Sequence, residues 1–223
     1  DRKMAHISGG VDYTGFKNLD VVIEAIVEDM KIKQKVIGET AGQMREDAII
    51  ATNTSSLSVT EMSQGHPRPE FFAGMHFFNP APLMKLVEIV KGEQTNNEIL
   101  QTTFDLVKQM NKVPVVCKDS PGFIVNRVAR PYYLEAMKLV ESGIANYESV
   151  DEIMESIGFK MGPFKLMDLI GMDINYSVSN IVWEAMGKPD RLKPSALQQQ
   201  KVTENKLGRK TNEGFYKYPI AVK

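Results

Sequence analysis

The sequence predicts an α/β half followed by an all-helical half, with the change near Asp119. In the first half, short apolar runs of strand length alternate with stretches of helical spacing, which is the pattern of a parallel or mixed sheet covered by helices. Between residues 120 and 213 the apolar residues recur at helical spacing, and no convincing strand is found. We therefore expect two domains, 1–118 and 119–223.

The first half opens with an apolar run, residues 19–27, that has the length and composition of a strand. Residues 28–44 switch to helical spacing, and 47–52 form a second β-like run. A polar loop, 53–56, follows that run directly. These segments predict a strand, a helix and a second strand.

The rest of the first half continues this alternation. Ser58 and Glu61 have the spacing of a capping box, which predicts a short helix. Two apolar strands joined by a Pro-rich loop are predicted within residues 75–90. A helix over 97–110 and a last strand over 113–116 complete the half.

The second half begins at a linker, Asp119-Ser-Pro-Gly, that also signals a helix start. We expect a long helix with Pro121 near its first position, ending about Ser142 with Gly143 after it. Pro131 falls inside this helix and predicts a kink. Three further helices are predicted. The first begins at a capping box of Ser149 and Glu152 and ends at Gly158, and the others cover 173–186 and 195–207.

Composition excludes several classes of function. The net charge is −1 and no Lys/Arg run stands out, so nucleic-acid binding is unsupported. No apolar segment approaches the roughly 18 residues of a membrane span. The single cysteine, Cys117, rules out an internal disulfide and fits a reducing compartment, so we expect a cytoplasmic protein. No Cys, His or carboxylate cluster has metal-ligand spacing, and no metal is expected.

The most informative feature is a polar pair set in apolar runs. Glu88 lies within Leu-Val-Glu-Ile-Val, the pattern of a strand buried on both faces, where an unpaired carboxylate costs several kcal/mol. His76, flanked by apolar residues, is its nearest candidate partner. A carboxylate that orients a histidine is the core of an acid/base catalyst. The alternative is a structural histidine and an edge-strand glutamate that faces water.

Several other polar residues follow predicted strands. Ligands of open α/β sheets lie outside the carboxyl ends of the strands, which would gather residues 25–28, 53–56 and His76 with the helix start at 121–126. Ser55 is either a helix-capping hydroxyl or a substrate hydrogen-bond donor. Asn126, within an apolar helix start, requires either a buried partner or a ligand. His6 and His66 lie in polar segments and are expected to be exposed.

Six segments spread over almost the entire chain carry specific motifs: VVIEAIVEDMKIK, TNTSSL, GMHFFNPAPLMKLVEIV, CKDSPGFIVNR, MGPFKLMDLIGMD and LGRKTNEGFYKY. Together, and in this order, they resemble the L-3-hydroxyacyl-CoA dehydrogenase family. The resemblance implies a Rossmann-like nucleotide-binding domain followed by an all-helical domain that forms most of a homodimer interface.

The resemblance implies the NAD-dependent oxidation of a 3-hydroxyacyl-CoA. In that case His76 is the base that takes the hydroxyl proton, and Glu88 holds it and stabilises its protonated form. Ser55 and Asn126 position the substrate. The residues that the resemblance assigns to the NAD site are Ala25, Ile26, Glu28, Lys33, Ser55, Asn79 and Lys210.

Two features depart from the family pattern, an absent fingerprint and one turn residue. The dinucleotide fingerprint G-x-G-x-x-G is not found, so we expect that roughly 70 N-terminal residues, the size of two βα units, precede Asp1 in a complete member. The truncated nucleotide-binding domain alone is then expected to bind NAD poorly. Asn212 occupies a turn position where the family usually has glycine, and asparagine tolerates the left-handed region.

Two alternatives to this function remain open. A dehydrogenase of the same fold could act on a free hydroxy acid or sugar acid, which competition with free CoA would test. The chain could also be a dimerising scaffold without catalysis, an interpretation that the absent glycine fingerprint favours and the complete set of site residues opposes.

Overall fold

The structure is a computed structural model that describes residues 4–219. It divides into two compact units, one reaching Phe123 and the other beginning at Ile124. The sequence places this change near Asp119. Phe123 belongs to the first unit because its side chain, 3% exposed, packs into that unit's core beside Phe72.

The first unit is built on a five-stranded mixed sheet in which the strands lie in sequence order. The first three strands run parallel, the fourth is antiparallel to the third, and the fifth is parallel to the fourth. The predicted α/β architecture is confirmed. The strands are β1 (Val21–Glu24), β2 (Ile49–Thr52), β3 (Phe72–Phe77), β4 (Leu86–Lys91) and β5 (Val113–Lys118).

Three helices pack on this sheet: α1 (Met30–Ala41), α2 (Val59–Ser63) and α3 (Asn97–Gln109). Alternate residues along the strands serve two clusters on opposite faces, since successive side chains of a strand point to opposite sides. Ile50 packs with residues of α1 and α2, whereas the next residue, Ala51, packs with Val107 of α3. The sheet is therefore covered on both faces.

Side-chain caps set the starts of the helices. Ser58 accepts a hydrogen bond from the backbone N–H of Glu61, so the predicted cap of α2 is confirmed. Asp29 caps α1 in the same way, which starts that helix at Met30 rather than at residue 28. β1 is shorter than the predicted 19–27 because residues 25–29 form an exposed loop between the strand and this cap.

The second unit contains five α-helices among its described residues. They are α4 (Val125–Glu141), α5 (Tyr147–Ser156), α6 (Pro163–Ile170), α7 (Met172–Ala185) and α8 (Ala196–Thr203). Up to residue 219 this unit has no strand, only isolated bridges such as Gly208–Glu213. The predicted all-helical half is confirmed. Helix α6 was not predicted, although Pro163 at its first position is a typical start signal.

Two predicted helix starts were wrong. Helix α4 begins at Val125, four residues after Pro121, because Gly122 and Phe123 adopt φ values of 72° and 48°, which a right-handed helix does not allow. Asn126 is therefore the second residue of the helix. Helix α5 is capped by Asn146, whose side chain accepts from the N–H of Ser149, so Ser149 is not the cap.

Two buried aspartates attach the C-terminal segment to the helices of the second unit. Asp168 accepts hydrogen bonds from the N–H groups of Phe215 and Tyr216, at 3.0 and 2.9 Å, and from the Tyr218 hydroxyl at 3.0 Å. Asp151 accepts from the Tyr216 hydroxyl at 2.7 Å. Because a buried carboxylate needs several donors, these bonds satisfy the aspartates and fix the segment together.

Candidate active site

His76 and Glu88 form a buried hydrogen-bonded pair. They lie directly opposite each other on the antiparallel strands β3 and β4. The His76 Nδ1 is 2.8 Å from the Glu88 Oε2, and the residues are 5% and 1% exposed. β4 lies between β3 and β5, so the alternative of an edge-strand glutamate facing water was wrong.

This geometry assigns the two nitrogens of His76 different tasks. An ionised carboxylate can only accept a hydrogen bond, so Nδ1 carries the proton that is donated to Glu88. The other nitrogen, Nε2, is then the one that can take up a proton and return it. The rings of Phe78 and Phe123, at centroid distances of 4.5 and 5.8 Å, restrict the imidazole. The pair has the arrangement of an oriented general base.

The loop that follows β2 carries Ser55 and is anchored on a carboxylate. The Glu28 Oε1 accepts from the hydroxyls of Thr54 and Ser56, at 2.6 and 3.2 Å, and from the Ser55 N–H at 3.2 Å. Ser58 caps α2, so Ser55 is not the capping hydroxyl of that helix. The Ser55 side chain is half-buried at the edge of the sheet where β1, β2 and β3 end.

Asn53 joins the same loop to the end of β3. Its Oδ1 accepts a hydrogen bond from the backbone N–H of Phe77 at 2.8 Å, one residue after His76. Residues 53–56 were expected at this edge of the sheet, but Asn53 was given no role of its own. The signal for its position was a polar side chain directly after a buried strand, at the carboxyl end where ligands bind in open sheets.

Four of the predicted cofactor residues lie on or beside the loop after β1. Ala25, Ile26 and Glu28 are exposed, whereas Lys33 is 1% exposed and forms an ion pair of 2.8 Å with Glu24. The role of Glu24 was missed in the sequence. The signal was the one that singled out Glu88, a carboxylate at the end of an apolar strand.

The remaining predicted residues lie elsewhere. Asn79 is exposed and precedes Pro80 through a cis peptide bond. Asn126 and Lys210 belong to the second unit, where Lys210 forms an ion pair with Asp173. His66 is 7% exposed, so the expected exposed position was wrong; its Nδ1 accepts from the Arg68 N–H at 2.9 Å.

Two family models match the chain along nearly its whole length. The NAD binding domain of 3-hydroxyacyl-CoA dehydrogenase matches residues 1–120, and the C-terminal domain of the same family matches residues 122–218. The chain belongs to the 3-hydroxyacyl-CoA dehydrogenase family. The family resemblance inferred from the six sequence segments is thereby confirmed.

Two relatives are similar to this chain over most of its length. A 3-hydroxybutyryl-CoA dehydrogenase of Clostridioides difficile is 43% identical over 216 residues, which are 96% of this chain and 76% of that protein. A fatty acid oxidation complex subunit alpha of Acinetobacter baylyi is 42% identical over 97% of this chain. This chain spans 30% of the length of that larger protein.

Solved structures of the family have the same fold. The (S)-3-hydroxybutyryl-CoA dehydrogenase of Ralstonia eutropha superimposes with a TM-score of 0.92 at 38% identity, over 97% of this chain and 77% of that one. The 3-hydroxybutyryl-CoA dehydrogenase of Escherichia coli gives a TM-score of 0.91 at 40% identity, over 96% and 46%. The Rossmann-like assignment of the first unit is confirmed.

The loop after β1 has the chemistry that a nicotinamide nucleotide needs. Ile26 and Val27 expose apolar side chains, 38% and 62%, beside the polar loop of residues 53–56. Apolar contacts suit the flat ring, and backbone and hydroxyl groups suit its carboxamide and ribose. The residues present therefore fit NAD.

Two kinds of feature are not found in the part of the chain that the structure describes. Residues 4–219 contain no group of three or more His, Cys, Asp or Glu side chains that could hold a metal ion. Within the same range, every helix is too short or too polar to span a bilayer.

Proposed function

We propose that the protein is an NAD-dependent (S)-3-hydroxyacyl-CoA dehydrogenase that oxidises the 3-hydroxyl of a short acyl-CoA to a ketone. The observation that carries the proposal is the buried His76–Glu88 pair, with Nδ1 and Oε2 2.8 Å apart. Reversible conversion of an alcohol to a ketone requires a group that takes and returns one proton, and an oriented histidine does so. The names of the relatives support an acyl-CoA substrate.

The proton follows a short path in this proposal. His76 Nε2 takes the proton of the 3-hydroxyl, and Glu88 stabilises the imidazolium that forms. When bound, NAD⁺ supplies the hydride acceptor for C3 of the substrate. Ser55 and Asn126 hydrogen-bond to the substrate oxygens and favour the charge that develops there. In the reverse direction His76 returns the proton to the ketone oxygen.

We assign the cofactor to the loops that follow β1 and β2. Ala25 and Ile26 offer apolar contact, while Glu28 and Ser55 belong to the network that holds the second loop. Lys33 is the cation that organises this network. Asn79 and Lys210 complete the proposed set of cofactor residues, Asn79 beside the nicotinamide and Lys210 from the C-terminal loop.

The direct test measures acetoacetyl-CoA-dependent oxidation of NADH by the protein expressed from its complete gene. A His76→Gln variant keeps a polar side chain but cannot act as a base, so kcat should fall by roughly 10²–10⁴-fold. A matched His6→Gln variant changes an exposed histidine and should retain the wild-type rate. Wild-type kcat in His76→Gln, or oxidation of free 3-hydroxybutyrate without any activity on the thioester, would contradict the proposal.

We further propose a homodimer formed through the helical unit, in the cytoplasm. The support is that the helical unit exposes several apolar side chains between residues 124 and 174, which a second copy of the chain could cover. Val128 and Ile144 are 70% and 73% exposed. Light scattering should give twice the monomer mass, and Val128→Asp should shift the measured mass toward that of the monomer.

The proposed location in the cytoplasm is supported by Cys117. Its free thiol fits a reducing compartment.

A further inference from the structure

Glu24 is the last residue of β1, and its buried carboxylate joins three parts of the first unit. The Oε1 accepts from the Lys33 ammonium at 2.8 Å and from the backbone N–H of Ile26 at 2.7 Å. The Oε2 accepts from the Thr52 hydroxyl at 2.7 Å, at the end of β2. One carboxylate therefore fixes the loop after β1, helix α1 and the end of β2 relative to each other.

Lys33 extends this connection to the peptide unit of Ile26 and to Glu28. Its ammonium is 3.2 Å from the Ile26 carbonyl oxygen and 3.4 Å from the Glu28 Oε2. Ile26 is thus held on both sides, its N–H by Glu24 and its carbonyl by Lys33. With the backbone fixed in this way, the Ile26 side chain remains partly exposed.

Glu28 passes the connection on to the loop that carries Ser55. Its Oε1 accepts from Thr54, Ser55 and Ser56, while its Oε2 faces Lys33. The contacts run without a break from Glu24 through Lys33 and Glu28 to Ser55. The two loops proposed to hold cofactor and substrate are therefore set by one charged network with its inner end at Glu24.

The buried ion pair of Glu24 and Lys33 is not expected to add much to the free energy of unfolding. Taking a carboxylate and an ammonium out of water often costs as much as their attraction returns, and apolar replacements of such pairs are frequently neutral or stabilising. Glu24 and Lys33 are 6% and 1% exposed. Buried polar contacts of this kind do, however, hold side chains and loops in one geometry.

We propose that Glu24 is a positioning residue that acts through Lys33 to set the cofactor loop after β1 and the Ser55 loop. This proposal rests on the proposed function, which assigns the two loops to cofactor and substrate binding. In this role the buried Glu24 acts through the residues it bonds to, and not by touching cofactor or substrate. Its effect is transmitted by hydrogen bonds, and it should appear in cofactor binding and kcat rather than in the acid/base chemistry of His76.

The test compares Glu24→Gln with wild type in the protein expressed from its complete gene. Glutamine keeps the size but loses the charge-assisted bonds, so the dissociation constant of NADH, measured by fluorescence, should rise at least about tenfold. The kcat should fall while the pH profile of kcat keeps its shape. Glu39→Gln, which removes the carboxylate of an exposed pair with Lys35, is the matched control and should leave both values unchanged.

A double-mutant cycle tests the route through Lys33. If Glu24 acts through this ammonium, Glu24→Gln should add less than about twofold to the effect of Lys33→Met, whereas independent action would make the effects multiply. Wild-type NADH affinity in Glu24→Gln, or multiplied effects in the cycle, would overturn the proposal. If Glu24→Gln does not fold, Glu24→Asp, which withdraws the carboxylate but keeps its charge, carries the same comparison with a smaller expected rise.

A wild-type protein that binds NADH but does not reduce acetoacetyl-CoA would defeat the proposed function, and the NADH dissociation constants of the Glu24 variants would still test the positioning role. An active wild type with an unaffected Glu24→Gln variant would defeat the positioning role alone.

Discussion

Glu88 stands opposite His76 in the register of β3 and β4, so that the pair is set by strand pairing and not by a flexible loop. Side chains alternate across a strand, and a slip of one residue would turn Glu88 to the other face of the sheet. The hydrogen bond of 2.8 Å is therefore built into the antiparallel hairpin. The catalytic proposal depends on this register.

Replacing Glu88 tests the contribution of its charge. Glu88→Gln keeps an acceptor for Nδ1–H but does not stabilise the imidazolium, so we expect kcat to fall roughly 10²–10⁴-fold with little change in KM. Steady-state NADH oxidation measures this. Glu93→Gln, an exposed glutamate just after β4, is the control. The double variant His76→Gln/Glu88→Gln should be no slower than His76→Gln, and a further large loss would contradict the pairing.

Gly214 should not tolerate a side chain, because a Cβ there would collide with the Asp168 carboxylate. Gly214→Ala should lower the free energy of unfolding by about 1–3 kcal/mol, seen as a melting temperature several degrees lower. Gly10→Ala, where no heavy atom lies within 4 Å of the new Cβ, should leave the melting temperature unchanged. Equal melting temperatures for the two variants would refute this account of the C-terminal segment.

Arg130 is a buried cation without an ionic partner among residues 4–219. Its guanidinium, 3% exposed, donates to neutral oxygens of Asn126, Asn175 and Ser179. Burial lowers its pKa to about 10, partly opposed by Tyr133. Because the desolvation of this charge is not repaid by an opposite one, Arg130→Met should be neutral or up to about 3 kcal/mol stabilising in thermal or urea unfolding.

The contrasting substitution is Asp168→Asn. This carboxylate is buried with three donors, and an amide would turn its NH₂ group toward some of them. We expect a loss of about 1–3 kcal/mol in the same unfolding experiment. If Arg130→Met destabilised the protein as much as Asp168→Asn, it would be wrong to describe Arg130 as a buried charge whose desolvation is not offset.

Cys117 should be unreactive at mildly alkaline pH. Burial, together with the negative charges of Glu88 and Asp119, raises the pKa of its thiol to about 12. The reactive thiolate is then scarce up to about pH 9, well above the pH at which an ordinary thiol with a pKa near 8.5 reacts. Alkylation by iodoacetamide at pH 8 should be at least about tenfold slower in native than in guanidinium-unfolded protein. Equal rates would contradict this.

The sequence was sufficient where local chemistry and periodicity agree. The strand pattern around Glu88, the Ser58 cap and the helical spacing after Asp119 each depend on neighbouring residues, and the structure confirmed all three. It was insufficient at the start of α4. There, positive φ values at Gly122 and Phe123 delay the helix to Val125, and Pro121 alone gives no signal of this.

The site residues also differ in whether neighbouring residues or the packed fold reveals them. His76 and Glu88 were found together because a charge inside an apolar strand demands a partner. Glu24, an acidic residue at the end of another apolar run, carries a weaker form of the same signal, and its partners Lys33 and Thr52 become apparent only when α1 and β2 are packed beside it. His66 lies in a polar segment, yet the chain folds over it.

The sequence by itself determined the family, the order of strands and helices except α6, and the polar residues at the strand ends except Glu24, since these depend on composition, spacing and motif. Only the tertiary structure decided which strands pair, that β3 and β4 run antiparallel, and which donor faces each buried carboxylate. The physical reason is that hydrogen bonds between residues distant in sequence are selected by how the sheet and helices pack, and no local pattern encodes that choice.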